Sequence, residues 1–237
     1  AAGILPSGTV VNNGTLVVNR TDAVTVGNLI SGAGTLVKQG ANTVTLSAIN
    51  THTGGATVAA GVLRGWTDSA LGAPGVGTVV VSNNATLDRG WGTVGPIIVS
   101  GNGADGNGAI VNNSSGNMVG DWVGGMTPSL TLTGDTMFGG NTRWDLGSST
   151  GATLNTGGSN YNLTINLPGV YMEWQRLTID PNLGNIDVAG AGGSLGIKGT
   201  GAGLGNPTNT INVGGTATLT FWGDTTNNSG YAKKIHV

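Results

Sequence analysis

Residues able to do acid–base chemistry are few, and their spacing is the first thing to weigh. Of 237 residues only 11 are Asp or Glu, and Glu173 is the sole glutamate. Asp68 and Asp88 stand 20 positions apart, and Asp88 is followed by Arg89; Asp121 and Asp145 stand 24 apart, and each adjoins a tryptophan, in Asp121-Trp122 and Trp144-Asp145. Glu173-Trp174 repeats the acid–aromatic pairing. In a fold of stacked coils, carboxylates about one coil apart in sequence stand side by side and could share glycosidic acid/base work. Exposed tryptophans beside them would offer a flat face to a sugar ring. On that ground Asp121, Trp122, Trp144, Asp145 and Trp174 form the glycan-contact set that the sequence suggests. The plainer reading is that sparse aspartates occupy turns, where the carboxylate bonds nearby backbone, and that the tryptophans fill corners and core. It prevails here, so no residue is assigned to catalysis, to a cofactor or to a metal.

Other chemistry is thinly represented. His52 and His236 are isolated from any Ser–Asp pair or metal-ligand set. There is no phosphate loop, dinucleotide fingerprint or nucleophile elbow. Residues 101–107, GNGADGN, are similar to a single copy of a Gly- and Asp-rich calcium nonapeptide, a motif that works in tandem copies. Asn-x-Ser/Thr triplets recur, as they must by chance in a chain so rich in Asn and Thr, and matter only in a glycosylating host. No cofactor is expected.

The elements that must carry these residues are strands. The chain holds 46 Gly and only 8 % charged residues. That much glycine is incompatible with a helical protein, and the abundance of Val, Ile, Leu and Thr is incompatible with Gly-rich disorder. Glycine lacks the strict third-residue period of collagen. What is left is an all-β chain with a corner every few residues, for which a solenoid is the best fit. A formal charge of −2, with nine Lys and Arg scattered along the length, argues against nucleic acid. Cysteine is absent, so disulfides and thiolate metal sites are excluded. No apolar run is long enough to span a bilayer as a helix, and no basic-then-apolar leader opens the sequence.

The most regular stretch is Ile30 to Arg64, ISGAGTLVKQGANTVTLSAINTHTGGATVAAGVLR. Thr35-Leu36-Val37, Thr43-Val44-Thr45-Leu46 and Thr57-Val58 read as short strands, with Val62-Leu63 a weaker fourth. Threonine and aliphatic residues alternate, as in a strand with one buried face. Between them, Gly-Ala-Gly, Gln-Gly-Ala-Asn and Thr-Gly-Gly supply corners with positive φ. The order Gly32 to Lys38, Asn42 to Ser47, Asn50 to Val58 and Ala60 to Leu63 resembles the autotransporter-associated β-strand repeat of bacterial passenger regions, with His52 where that family usually has an aromatic residue. The resemblance is specific over these 35 or so residues and extends more loosely from about Gly14 to Asp88. It implies a right-handed parallel β-helix, an extracellular or cell-surface location and a structural role, and it brings no catalytic residue.

Strand starts at Thr15, Thr35, Thr57, Thr78 and Ile97 are 20, 22, 21 and 19 residues apart, which predicts about 20 residues per coil. One β-solenoid domain is expected over 1–237, with a loop-rich insertion near 101–128 and an open C-terminal end at Lys233 to Val237. The segment 168–181, PGVYMEWQRLTIDP, is the least repeat-like and reads as one coil with a bulky face. The leading expectation is a non-catalytic passenger or stalk segment with an adhesion or scaffold role. One alternative is a filament subunit joined end to end by strand stacking. The other is a glycan-binding or polysaccharide-cleaving β-helix. Accordingly the expected partners are a second copy of the chain at its ends, or a host-surface or glycan ligand.

Overall fold

Alternation of threonine with aliphatic residues becomes physical in the strand Thr43–Leu46, where Val44 and Leu46 are buried and the two threonines face outward. The computed structural model describes residues 5, 7–90, 92, 94–115, 129–199, 203–222 and 234–237, and side chains 148–150, 222 and 234 lie outside that description. The described strands are β1 (Val10–Val11), β2 (Thr15–Asn19), β3 (Val24–Val26), β4 (Ile30–Ser31), β5 (Thr35–Gln39), β6 (Thr43–Leu46) and β7 (Ala56–Val58). They continue as β8 (Gly61–Gly65), β9 (Val79–Val81), β10 (Ala85–Arg89), β11 (Ile97–Gly101), β12 (Ile110–Asn112), β13 (Ser129–Gly140) and β14 (Leu146–Asn155). The last are β15 (Leu163–Asn166), β16 (Tyr171–Ile179), β17 (Ile186–Ala189), β18 (Ser194–Lys198), β19 (Thr210–Val213), β20 (Thr218–Trp222) and β21 (Lys234–His236). No helix occurs among the described residues, and every strand pair is parallel, so the chain is a β-solenoid.

Three faces wind around one core. The first runs through β2, β5, β7, β9, β11, the start of β13 and the ends of β14 and β16. Leu16, Leu36, Ala56, Val79, Ile97, Leu130 and Leu154 stack along it in register. The second face runs through β3, β6, β8, β10, β12, the end of β13, β15, β17, β19 and β21. Its core column is Val24, Val44, Leu63, Leu87, Ile110, Phe138, Ile165 and Val188. On the third side, β1 pairs with β4, and further along the start of β14, the start of β16, β18 and β20 form a ladder. Strands β13, β14 and β16 are long because each rounds a corner and serves two faces: Leu130 of β13 pairs with Ile97 and Leu154, whereas Phe138 pairs with Ile110 and Ile165.

A turn averages about 23 residues, not 20. Early rungs do keep the shorter step, as from Val24 to Val44. Later ones lengthen, as from Ile110 to Phe138, because corners take up loops of differing size. The five strand starts read from the sequence fall on one face, but their phase differs: Thr57 lies opposite Val37 rather than Thr35. The step across the corner Thr53-Gly54-Gly55 stays at 20 residues, and the chain turns there on Gly55, which has φ +77° and where a Cβ would stand 2.2 Å from the Thr78 carbonyl. Within 101–128, residues 101–115 are described and β12 takes its place in the second face. Over 168–181 the bulky coil is β16, which sends Met172, Trp174, Leu177 and Ile179 into the core.

Asparagines staple the rungs at the corners. Asn50 Oδ1 accepts from Ile30 N at 2.8 Å, and Asn50 Nδ2 donates to the Ala70 carbonyl at 2.6 Å, so one buried side chain joins three successive turns. Asn12 Nδ2 donates to Thr35 O at 3.0 Å, and Asn112 Nδ2 to Arg143 O at 2.9 Å. Lys38 is buried as well; its ammonium donates to the carbonyls of Gly40 (2.7 Å) and Ala60 (2.6 Å), and burial lowers its pKa to about 8.

Candidate functional site

Side chains on the outside of the second face line a groove of about 390 Å³. It begins at Thr43 of β6, passes Arg64 of β8 and Asp88 of β10, and continues over Asn113, Asn141 and Asn166 at the ends of β12, β13 and β15. Parity explains the set: residues on the outward side of each rung stand beside their counterparts one turn on, as Thr45, Arg64 and Asp88 do in the ladder. Its wall is the loop 102–108 between β11 and β12, which carries Asp105 and Asn107. Thr86 holds that loop against β10: its hydroxyl donates to the Gly108 carbonyl at 2.9 Å and accepts from Ala104 N at 2.9 Å. Gly108 N closes the loop on Asn102 O at 2.8 Å, and Asp105 Oδ1 accepts from Asn107 N at 3.1 Å. Covered inside by the core and outside by this loop and its neighbours, β10 is buried on both faces.

At the groove floor the Asp88 carboxylate is fully buried and fully engaged. Oδ2 accepts from Arg64 Nε at 2.9 Å; Oδ1 accepts from Trp66 Nε1 at 3.2 Å and from Asn113 N at 3.1 Å. The Arg64 guanidinium lies 4.6 Å over the centre of the Trp66 ring. A buried carboxylate survives when a cation and several donors satisfy it, and Asp88 has both. It does not pair with Asp68, despite their one-turn spacing. Asp68 lies on the other side of β10, where its negative charge partly offsets the burial that lowers the Arg89 pKa to about 10.

A second charged cluster brings together residues 28 apart in sequence, Asp145 and Glu173. Arg143 clamps Asp145 through Nε (3.1 Å to Oδ1) and Nη2 (2.8 Å to Oδ2), and its Nη2 lies 3.8 Å from Glu173 Oε2. Tyr171 donates its hydroxyl to Glu173 Oε2 at 2.7 Å and packs its ring under the guanidinium, and Glu173 N donates to Asp145 Oδ1 at 3.0 Å. With both Asp145 oxygens engaged and the residue only 2 % exposed, this arrangement is a clamp between turns rather than an acid/base pair.

Two tryptophans of the expected glycan set, Trp144 and Trp174, lie in the core. Trp144 is wholly buried, with its indole N–H on the Gly139 carbonyl at 2.9 Å and its ring at 5.3 Å, edge to face, from Phe138. Trp174 is equally buried, its N–H 3.3 Å from Met172 Sδ. Neither ring has a face free for a sugar, because both point inward where the core column needs volume. Asp121 and Trp122 lie outside the described residues. Reasoning from sequence passed over Arg64, Asp105, Asn107, Asn113, Asn141 and Asn166. The 24-residue step from Arg64 to Asp88 was a usable signal once the turn length was known.

His52 occupies the corner where the resemblance expected an aromatic residue. It is buried, neither ring nitrogen meets a hydrogen-bond partner, and burial lowers its pKa, an effect that the backbone of Ile30 and Gly55 only partly opposes.

Residues 36–64, from β5 to β8, match the family model of the passenger-associated-transport-repeat. The likeness to a passenger repeat covers this stretch, 29 of the 237 residues. The stretch contains Lys38, Asn50 and His52, three of the interior polar side chains described above, and ends on Arg64 at the groove. No curated protein and no solved structure matches the chain.

Proposed function

We propose that this chain is a structural segment of a surface-displayed autotransporter-type passenger, acting as a stiff scaffold or adhesive stalk rather than as a catalyst. The observation that carries the reading is the passenger repeat at 36–64, lying within a parallel ladder that continues to β21. Two further features support it. Hydrogen bonds of the ladder run along the solenoid axis, so tension along that axis is shared by all three faces. The carboxylates best placed for chemistry, Asp88 and Asp145, are held by arginines.

Antibodies raised against the purified chain test the reading on intact cells of the organism that encodes it. Immunogold label outside the outer membrane, removed by protease added to whole cells, is the expected result. Label reached only after the cells are permeabilised would overturn it.

A further inference from the structure

Beyond a scaffold role, the geometry points to the groove of the second face as a binding site for a neutral, extended polysaccharide lying parallel to the solenoid axis. Three observations carry this.

The first is chemical. The groove presents groups that recognise hydroxyls and have capacity to spare. Arg64 uses only Nε on Asp88, so its terminal guanidinium nitrogens face the groove unbonded. Asn113 and Asn141 spend their side-chain oxygens on Asn141 N and the Thr142 hydroxyl, leaving their amide N–H groups for a ligand. Asn107 keeps its whole side-chain amide, and Asp105 keeps Oδ2. A carboxylate acceptor, amides that donate and accept, and a forked donor together match vicinal hydroxyls, which both donate and accept.

The second is geometric. From Thr43 to Asn166 the groove crosses six successive turns, which at about 4.8 Å per rung is roughly 24 Å. One sugar ring with its glycosidic oxygen advances an extended β-1,4-linked chain by a distance close to one rung, so successive sugars meet successive rungs in phase. The wall is fixed in advance by Thr86 and the closure of loop 102–108, so little ordering is left to the moment of binding.

The third is exclusion. Arg64 is the sole cation among the described lining residues, against Asp88 and Asp105, so a nucleic acid or a polyuronate would meet no net attraction. A peptide cannot add as a strand, because the N–H and C=O groups of these rungs point along the axis into neighbouring turns and are already paired.

Isothermal titration calorimetry of the whole chain tests the inference. The probes are β-1,4-linked hexasaccharides of glucose, mannose and N-acetylglucosamine, the matching disaccharides, and hexagalacturonate. At least one neutral hexasaccharide is expected to bind roughly tenfold or more tightly than its disaccharide, with hexagalacturonate weaker. Asp105→Ala and Asn141→Ala alter exposed side chains; each is expected to weaken binding about fivefold or more while circular dichroism and the melting temperature stay unchanged. Failure of all three neutral hexasaccharides to bind at millimolar concentration would overturn the inference. So would a preference for hexagalacturonate, or binding that survives both substitutions.

Discussion

His52 is a side chain at odds with its surroundings, and the mismatch is measurable. Its imidazole is buried without a hydrogen-bond partner, which disfavours the charged form and lowers its pKa below the ordinary value of about 6.5. The unfolded chain therefore takes up the proton first as pH falls. Stability is complete above about 6.5 and declines as pH drops from there toward the folded-state pKa. Urea unfolding at pH 7.5 and pH 5 should show this loss in the native chain and a clearly smaller one in His52→Phe, which puts an aromatic residue at the repeat's usual position. An equal loss in both would mean that other groups, not His52, govern that window. Asp180 is separable: donors from Asn182 and Thr156 outweigh the opposing effect of its burial and hold its pKa to about 2, so its contribution is lost only in far stronger acid.

At the level of the rung, stability depends on corner residues as much as on the apolar columns. Asn50→Ala would remove the partners of Ile30 N and the Ala70 carbonyl together. Two buried backbone groups left unsatisfied cost about 1–3 kcal/mol each, so denaturant unfolding should show a loss of roughly 2–5 kcal/mol. An exposed asparagine such as Asn102, whose side chain joins no neighbouring turn, should change stability by less than about 0.5 kcal/mol when replaced by Ala. The same contrast explains what could be read from the sequence. Rungs up to about Arg64 were legible because their steps hardly vary and period-2 alternation marks the inward side. Strands β13, β14 and β16 were not legible as single strands: β13 and β14 turn their corners at glycines inside the strand, Gly134 and Gly147 with Gly151, which read as breaks, and β16 turns at Arg176 with no glycine at all. The groove stayed hidden for a related reason. It is assembled from single outward residues a turn apart, and a drift in turn length from 19 to 28 residues is enough to blur such spacing. Acid–aromatic doublets were conspicuous, yet adjacency in a strand sends neighbours to opposite sides, so Trp144 faces inward beside an Asp145 that meets Arg143.

For the whole molecule, each turn packs chiefly on the turns before and after it, and the fold is close to one-dimensional. Leu36 lies in register with Ala56, so removing residues 36–55 excises one complete turn and leaves every remaining side chain on its own face. That deletion is expected to give a folded solenoid, with the far-UV circular dichroism of a β protein and a cooperative melt at somewhat lower temperature. Removing 36–45 instead cuts a turn in half and should abolish the cooperative transition. If the two deletions behaved alike, nearest-neighbour stacking would not be what holds the molecule together.

The short interval between stacked partners, about 23 residues on average, has a consequence for how the polypeptide is made. No contact in the ladder has to wait for a distant part of the sequence, so the loop entropy paid per turn is the same for the first turn as for the last. A chain delivered end-first through an opening too narrow for folded protein can bury each turn as soon as the next few tens of residues have emerged. Every completed turn is then too wide to slip back. Cysteine-free and assembled from neighbours alone, the solenoid can be completed turn by turn from whichever end is released first.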